Sequence, residues 1–253
     1  FFQAEDGIRD RSPSRGLGDV YKRQNDHIAL RTFNLPQTNI DVVSRPFLDS
    51  GYIAGGDYEF SEKKLYAKHF EHSDPKMPKV FISELLVEEF SKKFQSLIKL
   101  KVESVSADKF QDFELMIKGR PWALNSDEYE ILKNESDYGA WVAAIGFRPN
   151  HFTISINHLE KFDDIRNLNV FLKEHGFELN SQGGEVKGSK ELFLEQSSTI
   201  ASKIDVEFSD KILNLPSCYF EFAKRYPMDD GKLYQGFVAQ SADKIFESTD
   251  KGQ

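Results

Sequence analysis

The chain has 253 residues, enough for one large domain or two small ones with a substantial core. Its content of 39% hydrophobic and 29% charged residues is that of a globular protein, and no apolar run approaches the roughly 20 residues that span a bilayer. A net charge of −8, spread along the chain, argues against a nucleic-acid partner, and the lone Cys218 excludes an internal disulfide framework and suits a reducing cytoplasm.

Residues 1–24 (FFQAEDGIRDRSPSRGLGDVYKRQ) are rich in Gly, Ser, Pro, Arg and Asp and show neither helical nor strand periodicity. They resemble the translation of sequencing-adapter read-through. The expectation is a non-native, disordered segment followed by a single domain over 25–253, from which a native N-terminal piece is missing.

From Asn25 the pattern changes. Residues 25–33 (NDHIALRTF) alternate His27, Ala29, Arg31 and Phe33 on one face with Ile28, Leu30 and Thr32 on the other, which predicts a strand. A helix is expected over 38–49, strands near 57–71 and 78–84, and helical periodicity over 84–118. The stretch 119–149 reads as an irregular connection with one short helix near 127–134. A second strand at 150–158 (NHFTISINH) sets His151, Thr153 and Ser155 opposite Phe152, Ile154 and Ile156. A helix over 163–175 follows, ended by Gly176, then strands near 177–181, 191–196, 203–208 and 216–223. The last of these strings, SCYFEFAK at 217–224, sets Tyr219, Glu221 and Ala223 opposite Cys218, Phe220 and Phe222. Both halves share the order strand, helix, three or more strands. Strands polar on one face and apolar on the other suit a half-barrel lined with chemistry and backed by helices.

His27, His151 and Glu221 each occupy such a strand, and together they would form a facial triad. Two imidazoles and a carboxylate suit iron(II) and leave positions open for substrate and dioxygen, although zinc accepts the same donors. The helical zincin spacing is absent. His69 and His72 read as surface residues of a charged stretch. Lys187, flanked by glycines, reads as solvated. Gln196, Ser197 and Ser198 either line the pocket or end a strand, Asn25 and Asp26 are positioned to orient His27, and Cys218 points to the apolar side. By spacing alone the triad is a weak signal, because six histidines allow many combinations.

The strings NDHIALRTF, YAKHFEH, PKVFISELL, NHFTISINHL, LEQSSTIA, PSCYFEFAKRYP and QGFVAQSADKIFESTD together resemble the DUF1338 family in its short form. Characterised members are 2-oxoadipate dioxygenase/decarboxylases, also called D-2-hydroxyglutarate synthases. The resemblance implies an α+β fold of the vicinal-oxygen-chelate type, with paired βαβββ modules forming a half-barrel around a metal and helices outside. It implies iron(II) held by His27, His151 and Glu221, with Arg31 and Ser241 binding a small 2-oxo dicarboxylate that reacts with O2. Gln240, beside Ser241, departs from the valine of long-form relatives, which leaves that local contact open. Neither nucleic acid nor membrane is an expected partner, and no oligomeric state follows. Two other classes fit the same residues: a metal-dependent lyase or hydrolase on this fold, and a non-catalytic dicarboxylate-binding module.

Overall fold

In the computed structural model, which describes residues 24–111 and 114–238, the alternating segment at the start becomes β1 (Asn25–Phe33). Two short helices follow, α1 (Ile40–Val43) and α2 (Arg45–Asp49), where one is expected over 38–49. Pro46 is the cause: it has no N–H to continue the hydrogen bonding of the first helix, but it is tolerated in a first turn, so the first helix stops and a second begins around it. The strand expected near 57–71 is a hairpin of β2 (Tyr52–Phe60) and β3 (Leu65–His72), and it turns at Lys64 with φ 55°. β4 (Lys79–Leu85) completes the first unit.

A helical insertion comes next. α3 (Lys92–Glu103) is capped by the Ser91 side chain, and α4 (Leu115–Lys118) is a single turn. α5 (Ser126–Lys133) opens on a reciprocal capping box between Asn125 and Glu128. α6 (Asp137–Ile145) lies in the stretch read as irregular; every residue from Tyr138 to Ile145 is buried, so it has no polar face for periodicity to reveal. Gly146 ends it at φ 85°, and a Cβ there would lie 2.1 Å from the Arg120 amide nitrogen, so only glycine allows this close approach.

The second unit repeats the first: β5 (His151–Ser155), α7 (Ile165–Glu174), β6 (Lys187–Ser189) and β7 (Leu194–Ser198). Residues 177–181 contribute one isolated bridge, Leu179 to Thr199, where a strand is expected. A separate hairpin, β8 (Lys203–Glu207) and β9 (Ile212–Pro216), interrupts the unit before β10 (Tyr219–Arg225) closes it.

The eight main strands run in the order β2-β3-β4-β1-β5-β10-β7-β6. β1 pairs with β4 and β5 with β10 in parallel, and every other neighbour in this sheet is antiparallel. The two units are therefore related by an approximate two-fold between β1 and β5, and the curled sheet is a half-barrel of paired βαβββ modules. Its outer face is apolar: Ile156, Ile165, Leu168, Leu172 and Phe222 form one cluster where α7 packs on β10. The register puts His27, Arg31, His151, Thr153, Glu221 and Gln196 on the inner face. No described helix is long and apolar enough to cross a membrane.

Candidate metal centre

The pairings of β1, β5 and β10 bring His27, His151 and Glu221 onto adjacent strands, where all three are buried. The two Nε2 atoms are 3.3 Å apart, and each lies 3.5 Å from a Glu221 carboxylate oxygen. Ligands about 2.0–2.2 Å from a common ion, at angles of roughly 90–110°, would sit about 3.0–3.6 Å from one another. The donor spacing thus fits one metal, and this is the group of His, Cys, Asp and Glu side chains among the described residues that could hold one.

Each donor has a partner that orients it. The Asp26 Oδ1 lies 2.8 Å from His27 Nδ1 and accepts a hydrogen bond from its N–H, leaving the Nε2 lone pair directed at the centre. Neighbours in a strand normally point to opposite faces, but the register shifts between Asn25 and His27, and this irregularity lets Asp26 reach the ring beside it. Asn25 itself is exposed. The Asp26 carboxylate also takes a fork from Arg225, Nε at 2.7 Å and Nη2 at 2.8 Å. Burial alone would raise the Asp26 carboxyl, but the Arg225 charge and the hydrogen bonds from His27 and Arg225 hold it well below the usual carboxylate range. The Asn150 amide meets His151 Nδ1 at 3.2 Å, and Tyr219 stacks on that ring at 4.8 Å. With the Asn150 oxygen turned to accept from Nδ1–H, the His151 Nε2 likewise offers a lone pair. Gln196 Nε2 donates to Glu221 at 2.6 Å.

Electrostatics favour a cation. Burial, with His27 and Arg31 nearby, pushes the His151 imidazole well below its ordinary value, so it is neutral and able to ligate. Burial pushes the Glu221 carboxyl up, against the opposing pull of His27 and Gln196. A divalent ion would reverse that shift by supplying the missing positive charge.

Arg31 lies farther along the inner face, buried between the Tyr138 ring at 4.9 Å and the Trp141 ring at 5.1 Å. It borders a cavity of about 220 Å³ shared with Lys63, Lys64 and Tyr138. Neither this cavity nor a roomier one of about 510 Å³, between Ser44 and Phe70, is lined by any of the triad. Ser241 lies outside the described residues, as do residues 1–23 of the segment expected to be non-native.

Several readings need correction. His69 is not at the surface; it is buried, bonded to Tyr58 at 2.9 Å and Glu71 at 3.1 Å, while His72 is half-buried. Lys187 is not solvated: β6 pairs it with Gln196 on the inner face, and its Nζ donates to the Asn180 carbonyl at 2.6 Å. Cys218 is half-buried and free. Two residues escape the sequence reading entirely. Arg225 lies four positions after Glu221 on the same face, a period that could have revealed it. Phe237, which packs edge-on at 4.8 Å from the His27 ring, has no such signal.

Comparison with known proteins follows this geometry. The profile of the family described as 2-oxoadipate dioxygenase/decarboxylase (HGLS) matches residues 14–112 and 106–232. The chain belongs to that family. A chloroplastic 2-oxoadipate dioxygenase/decarboxylase of Arabidopsis thaliana is 36% identical over 250 residues, covering 88% of this chain and 67% of the relative. The Oryza sativa hydroxyglutarate synthase, solved in complex with 2-oxoadipate, is 33% identical with a TM-score of 0.85, over 90% of this chain and 81% of that one. A Shewanella frigidimarina crystal structure is 54% identical with a TM-score of 0.83, over 86% and 85% of the two chains. A glyoxalase superfamily protein of Ralstonia eutropha, at 21% identity and a TM-score of 0.64, shares the vicinal-oxygen-chelate-like fold of the HGLS family.

Proposed function

We propose that the chain is an iron(II)-dependent enzyme that converts 2-oxoadipate and O2 to D-2-hydroxyglutarate and CO2, a step of lysine breakdown in the cytoplasm. The observation that carries this reading is the buried convergence of two imidazole nitrogens and a carboxylate at 3.3–3.5 Å, in a family whose rice member was solved with 2-oxoadipate. His27, His151 and Glu221 would hold the iron. Bound iron(II) supplies the redox chemistry that couples reduction of dioxygen to loss of the substrate carboxyl as carbon dioxide.

The remaining roles belong to this chain's own side chains. Asp26 and Gln196 orient His27 and Glu221, so their donors need no rearrangement when the metal arrives. Arg31, buried against the Tyr138 and Trp141 rings, offers a planar fork for the distal carboxylate of the substrate. Ser241 supplies a further polar contact to the same molecule. Phe237 covers the His27 ring and keeps water from that side of the centre.

Anaerobic loading with iron(II), followed by measurement of oxygen uptake and product on adding 2-oxoadipate, tests the reading. One O2 consumed and one CO2 released per 2-hydroxyglutarate is expected. Turnover without oxygen would instead support a lyase or hydrolase, and binding without turnover a dicarboxylate-binding module.

A further inference from the structure

The segment after β10 forms a strap that returns to the inner face beside the candidate centre. Pro227 bridges to Leu233, Tyr234 N–H returns to the Tyr226 carbonyl at 3.0 Å, and the turn between them passes Gly231 at φ 78°. The chain then runs inward to Phe237, whose N–H donates to the Tyr58 hydroxyl at 3.2 Å. The Phe237 ring is wedged among aromatic rings on the inner face, 4.8 Å from His27, 5.3 Å from His69 and 5.0 Å from Phe81.

One buried side chain fastens this strap. Arg225 Nη1 donates to the Tyr234 carbonyl at 2.9 Å and the Gly236 carbonyl at 2.8 Å. The other edge of the same guanidinium, Nε and Nη2, grips the Asp26 carboxylate that holds the His27 ring. The guanidinium carbon also lies 5.3 Å from the centre of the Phe237 ring. The plane of one rigid group therefore fixes two things: where the strap runs, and where Asp26 holds His27. A guanidinium cannot rotate to release one edge and keep the other.

We propose that Arg225 is a positioning residue that makes metal binding and closure of the 226–238 strap one linked equilibrium. The inference rests on the reading of His27, His151 and Glu221 as a metal centre. By linkage, a metal that favours the oriented His27 must favour the closed strap by the same factor, and loosening the strap must weaken the metal. The fork is essential to the coupling. Lysine at this position carries the charge but cannot hold a carboxylate along one edge and two carbonyls along the other.

Cobalt(II) titration of the full chain, followed by its visible absorption, gives metal affinity without turnover; hydrogen exchange of the 226–238 amides, with and without cobalt, gives closure. The unsubstituted protein is expected to exchange these amides more slowly when cobalt is bound. Arg225→Gln and Arg225→Lys are expected to weaken cobalt binding about 10- to 100-fold, the usual effect of losing an outer-sphere partner, and to abolish the exchange response. Gly236→Ala approaches from the strap side without touching Asp26, since a Cβ there would lie 2.6 Å from the Tyr234 hydroxyl, and it is expected to weaken cobalt binding too. It also keeps the test open should the Arg225 variants fail to fold. Cobalt bound with no change in strap exchange, a strap loosened by Gly236→Ala at unchanged cobalt affinity, or full coupling in Arg225→Lys would each overturn the proposal. Absence of cobalt binding by the unsubstituted protein would instead remove the metal-centre reading beneath it.

Discussion

Replacing Arg31 should change which 2-oxo acid the protein accepts while leaving the metal in place. The side chain is 1% exposed and lies between two aromatic rings, so a carboxylate that reaches it does so in a desolvated setting. Losing one partner of a desolvated charged pair costs about 2–4 kcal/mol. At 1.36 kcal/mol per decade, that is a fall of about 30- to 900-fold in kcat/KM. Arg31→Met is the better probe, because alanine would also leave a cavity beside Tyr138 and Trp141. It still removes two cation–π contacts worth about 0.5–2 kcal/mol each, so a lowered Tm is expected without loss of fold. The assay compares 2-oxoadipate with 2-oxohexanoate, which has the same chain length and no distal carboxylate. Activity on 2-oxoadipate should collapse, activity on 2-oxohexanoate should stay within about threefold, and iron content should be unchanged. An unaltered ratio between the two substrates would remove Arg31 from the substrate site, whatever happened to the absolute rates.

Glu221→Gln keeps the shape of the side chain but removes the anionic donor, and metal analysis after dialysis should show at least a tenfold loss of bound iron; full retention would exclude Glu221 as a ligand. His69 gives a pH prediction: burial lowers its folded-state pKa below the ordinary 6.5, so the unfolded chain takes up the proton first and stability falls as pH drops from 6.5 through the folded value. Urea midpoints between pH 8 and 5 should decline more steeply for the unsubstituted chain than for His69→Gln, and parallel curves would contradict this. Gly55→Ala would set a Cβ 2.3 Å from His69 Nε2, a ring already held by Tyr58 and Glu71, and should cost about 1–3 kcal/mol, seen as a lowered Tm.

What could be read in advance follows from period. His27, His151 and Glu221 stand on strands whose alternation is visible in the sequence, and the family resemblance selects them from six histidines; their convergence needed no more than the pairing of three strands. Arg225 obeys the same alternation but reads as an ordinary charge, because nothing local announces that Asp26, 199 positions earlier, lies beside it. Lys187 misleads in the same way: glycines around it suggest a solvated turn, and only its register against Gln196 turns it inward. α6 is missed for the opposite reason. Its apolar residues cover the whole circumference, so the helical period that amphipathic helices display is absent. Phe237 belongs to a segment without regular structure, where no period exists to be read.

The long reach between Asp26 and Arg225 also bears on how the protein is made. The first donor, His27, lies on the first strand to leave the ribosome among those described, and Glu221 lies on the last. At about 5–20 residues per second, the 194 positions from one to the other (221 − 27) take roughly 10–40 s to synthesise. Until then β1 can pair with β4, but β5 has no β10 beside it, and His27 has neither Glu221 nor the arginine that steadies Asp26. A chain made only as far as β4 can thus form its first βαβββ unit while the proposed metal site is still incomplete. Under the metal-centre reading, the three donors meet only once β10 has been made, and a chain terminated before Glu221 would lack the site that β1 and β5 otherwise help to build.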